Sequence, residues 1–104
     1  MAYQKLFLES SGNNEIIFAR YYNLNALHTA LEIANGPNGY GGWAGNVPLQ
    51  NLVDDYEMAD GSEFDWNNES HAQEPYENRD PRFYQTILYN GAEYRGREVE
   101  TFVP

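Results

Sequence analysis

Cysteine is absent from the 104 residues. That excludes a disulfide framework and any thiolate metal site, and it leaves the redox compartment unmarked. Basic residues are scarce: six Lys plus Arg stand against 16 Asp plus Glu, for a formal net charge of -10. A nucleic acid or an anionic membrane surface asks for a basic face, so neutral ligands, cations or a basic protein surface fit better. No apolar run is long enough to cross a bilayer, and no secretory leader is present. The protein is therefore cytosolic, or its targeting segment lies outside these residues. Large apolar side chains are thin as well. Eight Leu, four Ile, four Val and five Phe make up 21 of 104 residues, at the edge of what supports independent folding. Nine Tyr and two Trp add apolar area, but their polar tips need partners or water.

The pattern along the chain predicts an α+β, irregular and loop-rich fold. Met1 to Leu8 reads as the last turns of a helix, followed by a turn cluster at Ser10 to Asn14. Glu15 to Tyr22, rich in β-branched and aromatic residues, reads as a strand. Leu24, Leu27 and Leu31 suggest a short helix within Asn23 to Ala34, stopped by Asn35-Gly36-Pro37. Asn38 to Asn46 carries four glycines and is expected to be an irregular loop. Pro48 and the stripe Leu49, Leu52, Val53, Tyr56 predict one clear helix over 47–58, ended by Asp60-Gly61. Ser62 to Asn78 is polar and without a clear period. Asn90-Gly91 between Phe83 to Tyr89 and Ala92 to Val99 predicts a β-hairpin over about 83–100. Both ends of the chain look cut through structure, so the expectation is a single partial segment, 1–104, of a larger protein.

Catalytic and metal chemistry find little footing. The acids Asp54, Asp55, Glu57, Asp60, Glu63 and Asp65 do not fix the converging pair a glycosidase needs and read as a solvated face. Asp60-Gly61 does not match the ligand spacing of a calcium loop. His28 and His71 are isolated, with no second ligand at metal spacing, and no GxSxG elbow is present. Asn68-Glu69-Ser70 matches a short glycosylation acceptor pattern with little specificity. No cofactor and no metal are called for.

The loop Tyr40-Gly41-Gly42-Trp43-Ala44-Gly45-Asn46 is more informative. Sugars present flat C–H faces and rings of hydroxyls, which aromatic platforms and Asn side chains answer. Trp43, Tyr40 and Asn46 are the candidate ligand-binding residues. The competing reading tucks Trp43 inward to pin the loop, since Trp is highly buried on average. Trp66 poses the same choice with less context. Arg79-Asp80-Pro81-Arg82 starts a turn or a single helical turn; Arg79, Asp80 and Arg82 have the chemistry to bind a carboxylate ligand but read rather as a structural ion-pair and turn network.

Several blocks taken together carry a family resemblance. EIIFARYY at Glu15 to Tyr22, GWAGNVPLQNLVDDYEM at Gly42 to Met58, YENRDPRFY at Tyr76 to Tyr84, YNGA at Tyr89 to Ala92, and Gly96-Arg97 with Val99-Glu100 follow in order. The chain resembles the SusD/RagB family of Bacteroidetes outer-membrane nutrient-binding lipoproteins, over nearly its whole length. The resemblance implies a segment of a mostly α-helical, TPR-containing fold. It implies non-catalytic capture of oligosaccharides or polysaccharides such as starch at the cell surface, for delivery to a SusC-like TonB-dependent outer-membrane transporter. Localisation would be the outer membrane, reached only through a lipid anchor that this chain lacks. Trp43 with Tyr40 is the candidate carried over, and Asn78, Arg79, Asp80, Pro81, Arg82, Asn90 and Gly91 would be scaffold. A peptide-binding member, a segment that mainly docks the transporter, and a glycoside hydrolase fragment are the competing readings.

Overall fold

The computed structural model describes residues 2–9, 11–23, 25 and 30–101. Among these residues five short helices, α1 Ala2–Leu8, α2 Leu31–Asn35, α3 Gln50–Asp54, α4 Glu69–Gln73 and α5 Pro81–Thr86, precede a two-stranded antiparallel sheet, β1 Glu93–Tyr94 and β2 Arg97–Glu98. The fold is thus α+β and loop-rich. The backbone divides into two compact units, Met1–Gly45 and Asn46–Pro104.

In the first unit, Asn13 ties the turn to α1. Its amide nitrogen donates to the Leu6 carbonyl at 2.9 Å, and its side-chain oxygen accepts from the Glu15 amide at 2.9 Å. Glu15 to Tyr22 is not the expected strand. It bends at Ile17 and Phe18 and stays exposed, and no ladder among the described residues includes it. β-Branched residues favour a strand only when a neighbouring strand and a packed face are supplied. Leu24, Leu27 and His28 lie outside the described residues. The Asn35-Gly36 stop falls where expected, with Gly36 donating its amide to Glu32 at the end of α2.

The second unit is organised around Phe83, which is fully buried. Val53 and Ile87 join it, with Tyr56, Tyr76 and Tyr89 packed against them. Tyr56 meets the Phe83 ring edge-on at 5.7 Å, and Tyr76 stacks on it at 6.3 Å. Offset and edge-to-face geometries of this kind suit the ring quadrupoles.

Arg79 is the other buried side chain at this centre, 2% exposed. Its guanidinium lies over Phe64 at 4.2 Å and over Phe83 at 4.9 Å. Nη2 donates to the carbonyls of Val53 at 2.6 Å and Tyr56 at 2.7 Å, and Nη1 donates to that of Pro75 at 2.8 Å.

These bonds explain why the helix expected over 47–58 is confined to Gln50–Asp54. The Val53 carbonyl, which would accept from residue 57 in a longer helix, is held by Arg79 instead. Residues beyond it leave to pair with the next segment. Asp80 donates its amide to Glu57 at 2.8 Å, Ala59 donates to Asn78 at 2.7 Å, and Met58 and Arg79 form an antiparallel bridge. At the other end Leu49 is extended, and Pro48 disfavours helix at Val47. Of the expected stripe, Val53 is buried and Tyr56 half-buried, while Leu49 and Leu52 remain exposed.

The hairpin also differs from the expectation. Its first half is helical: Asp80 caps α5, its side chain accepting from the Arg82 amide, with Pro81 at the first position. The strands lie wholly after Asn90-Gly91, and their two-residue turn is Arg95-Gly96, with φ of 53° and 78°. Positive φ at both positions marks a type I′ turn, whose twist matches the strands. Asn90-Gly91 forms a separate turn, the Ala92 amide bonding to Tyr89, and only Gly91 takes positive φ there.

Replacing Arg79 by Ala strands three carbonyls and opens a void between two phenylalanine rings. The expected loss of unfolding free energy is about 3 kcal/mol, measured by urea denaturation followed by circular dichroism. Arg79→Lys restores only part of it, because a single ammonium cannot span carbonyls that a planar fork reaches.

Candidate functional site

The loop that carries Trp43 is fixed by its backbone. Three successive amides, those of Trp43, Ala44 and Gly45, donate to the carbonyls of Ile33 at 2.7 Å, Gly36 at 2.8 Å and Ala34 at 2.8 Å. These are carbonyls at and just beyond the C-terminal end of α2, where a helix leaves acceptors without internal partners. The approach is close enough that a Cβ at Gly42 would collide with the Gly36 backbone. Glycine is therefore required at 42, whatever its contribution to loop mobility elsewhere.

With the backbone turned inward, the indole of Trp43 points out and is 69% exposed. Its N–H has no hydrogen-bond partner among the described residues, so both a flat face and a donor are available. Tyr40 shares the loop and is half-buried, its amide bonded to Pro37 at 3.2 Å. Tyr40 and Trp43 belong to the first unit, whereas Asn46, which is exposed, begins the second.

Trp66 is presented differently. It is 49% exposed, and its indole N–H donates to Asp54 at 2.9 Å. The other oxygen of Asp54 accepts from Gln50 at 2.7 Å. Phe64 meets Trp66 edge-on at 5.0 Å and stacks with His71 at 5.5 Å. His71 accepts from the Asp65 amide through Nδ1, a packing role rather than ligation. Asp54, Asp55, Glu57 and Glu63, with Phe64, line an open cleft of about 340 Å³. Among the described residues no group of three His, Cys, Asp or Glu comes together to hold a metal. The carboxylate oxygen of Asp60 is occupied by Ser62, whose amide and hydroxyl both donate to it. The Trp66–Asp54 pairing joins residues 12 apart, and no local pattern announced it.

The block Asn78 to Arg82 is tightly made. Asn78 takes φ of 53°, a conformation Asn tolerates better than most. Tyr84 links it to its surroundings, its hydroxyl accepting from the Arg79 amide and donating to the Tyr76 carbonyl. Asp80 caps α5 and pairs with Arg82 at 2.6 Å. Hydrogen bonds from the Arg82 side chain and amide hold the Asp80 carboxyl down, at a pKa of about 2. Asn90 accepts from the Thr101 amide and hydroxyl.

The family model for the SusD family matches residues 5–102. The chain belongs to the SusD family. This is a binding, non-catalytic family of nutrient uptake whose members are typically outer-membrane-associated lipoproteins, and it generally works with a SusC-like transporter. No curated protein matches the chain, and no solved structure does. No helix among the described residues is long and apolar enough to cross a membrane.

The Asp80 carboxyl carries a pH signature. Its folded pKa lies below the unfolded value, so its contribution to stability is present above about pH 4 and is lost as pH falls through about 2. Asp80→Asn keeps a helix cap but has no charge to titrate. Thermal melts should separate wild type from Asp80→Asn above pH 4 and converge toward pH 2.

Proposed function

We propose that this chain contributes to non-catalytic capture of neutral nutrient glycans at the outer-membrane surface, for delivery to a SusC-like TonB-dependent transporter, with Trp43 as an aromatic platform. The observation that carries this reading is the exposed indole of Trp43 on a loop whose backbone amides are already bonded inward. A side chain held out on a fixed backbone loses little further freedom when a ligand stacks on it. Its free N–H supplies a directional donor to a hydroxyl, with Tyr40 on the same loop and Asn46 as further candidates. The acidic surface does not oppose neutral sugars. Asn78 to Arg82 and Asn90-Gly91 act as scaffold in this reading.

A peptide ligand is the second reading, favoured by one observation. Residues 46–104 hold 13 of the 16 acids but four of the six basic residues, and four of those acids line one cleft beside Trp66. Such a surface attracts cationic peptides.

Calorimetry on the intact protein against neutral oligosaccharides and basic peptides separates the two. Trp43→Ala should weaken glycan binding about tenfold or more, about 1.4 kcal/mol, with Trp43→Phe retaining part of the affinity. Unchanged affinity in Trp43→Ala removes Trp43 from the site.

A further inference from the structure

The sequence contains three Asn-Gly pairs, at Asn35-Gly36, Asn38-Gly39 and Asn90-Gly91. An Asn-Gly bond is chemically labile when the glycine nitrogen can reach the asparagine side-chain carbonyl carbon, because glycine offers no Cβ to obstruct the approach. The structure treats the three pairs differently. The Gly36 amide donates to Glu32 at 2.8 Å, and Gly36 is buried. The Gly91 amide donates to Val99 at 2.7 Å, and the Asn90 side chain is drawn to Thr101 at 3.0 Å. Both nitrogens are committed elsewhere. The Gly39 amide has no hydrogen-bond partner among the described residues. Asn38 and Gly39 are both exposed, and the space where a Gly39 Cβ would stand is open.

Asn38 also touches the candidate loop. Both groups facing its amide are carbonyls, which fixes the amide's orientation. The nitrogen donates to the carbonyls of Gly42 and Trp43, each at 3.3 Å. These bonds are long.

We propose that Asn38-Gly39 is a site of spontaneous deamidation that loosens the Trp43 loop. Hydroxide removes the Gly39 amide proton, and the nitrogen attacks Cγ of Asn38. The Cγ–Nδ2 bond breaks, ammonia leaves, and a succinimide ring forms. Water then adds to either ring carbonyl and opens the ring to aspartate or isoaspartate at position 38. No oxidant or reductant is involved. The product has lost the only donor that Asn38 offered to Gly42 and Trp43, and it sets a carboxylate against two carbonyl oxygens. The three backbone bonds of Trp43, Ala44 and Gly45 remain but lose this side support. The inference rests on loop geometry and stands whether or not Trp43 binds a glycan.

The test ages the full chain in mildly alkaline buffer and labels isoaspartate with protein isoaspartyl methyltransferase before peptide mapping. Label should accumulate at position 38 several-fold faster than at 35 or 90. Equal or slower labelling at 38 overturns the proposal. Amide hydrogen exchange by NMR then reads the loop in the aged protein and in Asn38→Asp. Exchange at Trp43 and Ala44 should be several-fold faster than in fresh wild type. Unchanged exchange in the aged protein overturns the coupling, even if Asn38→Asp itself fails to fold.

Discussion

A buried guanidinium that has no carboxylate partner among the described residues sets the architecture of residues 46–104. Burial lowers the pKa of Arg79, and the nearby Asp54 charge opposes that shift, yet an arginine remains charged under all ordinary conditions. Its charge is met by dipoles and ring faces instead: three carbonyls and two phenylalanines. A cation bound this way dictates where its acceptors must stand. Val53 and Tyr56 approach from one segment and Pro75 from another, which sets Tyr56 and Tyr76 against the Phe83 ring. Salt screening has little purchase on such a site, because it contains no surface ion pair to weaken. The Nε atom has no hydrogen-bond partner among the described residues, so the arrangement is defined by five contacts rather than by full satisfaction of the side chain.

That dependence explains which parts of the fold were legible in the sequence. Signals confined to a few residues were readable. The glycine density at 38–46 marks a loop, Asn35-Gly36 ends α2, and the turn read at Asp80-Pro81 is where α5 begins. Signals that compete with a distant group were not. Leu49 to Tyr56 has helical spacing, but no local pattern shows that Arg79, 26 residues from Val53, will take the carbonyl that a longer helix needs. Phe83 to Tyr89 has the composition of a strand, and the Asp80-Pro81 start overrides it, since a cap and a preset φ act before β propensity can find a partner. Asn90-Gly91 is a turn as its residues suggest. The hairpin closes instead at Arg95-Gly96, where an arginine occupies a positive-φ position that sequence rules assign to Asn or Gly.

The candidate site divides along the same line. The presence of an aromatic among glycines was readable, but its direction was not, because exposure of Trp43 follows from where its own backbone bonds go. The amides of Trp43, Ala44 and Gly45 are spent on carbonyls at the end of α2, and Gly42 permits the approach that makes this possible. On this anchored backbone the Trp43 side chain is 69% exposed. Trp66 reaches partial exposure by the opposite route: its indole N–H is held by Asp54, so the ring is anchored at its polar edge and its backbone plays no comparable part. A ligand arriving at Trp43 meets an unused donor and a bare face, whereas one arriving at Trp66 must compete with a carboxylate for the donor. Hydroxyl-bearing ligands gain from a directional donor beside a stacking surface, and this difference in what each indole has left to offer is the physical ground for proposing Trp43, rather than Trp66, as the aromatic platform.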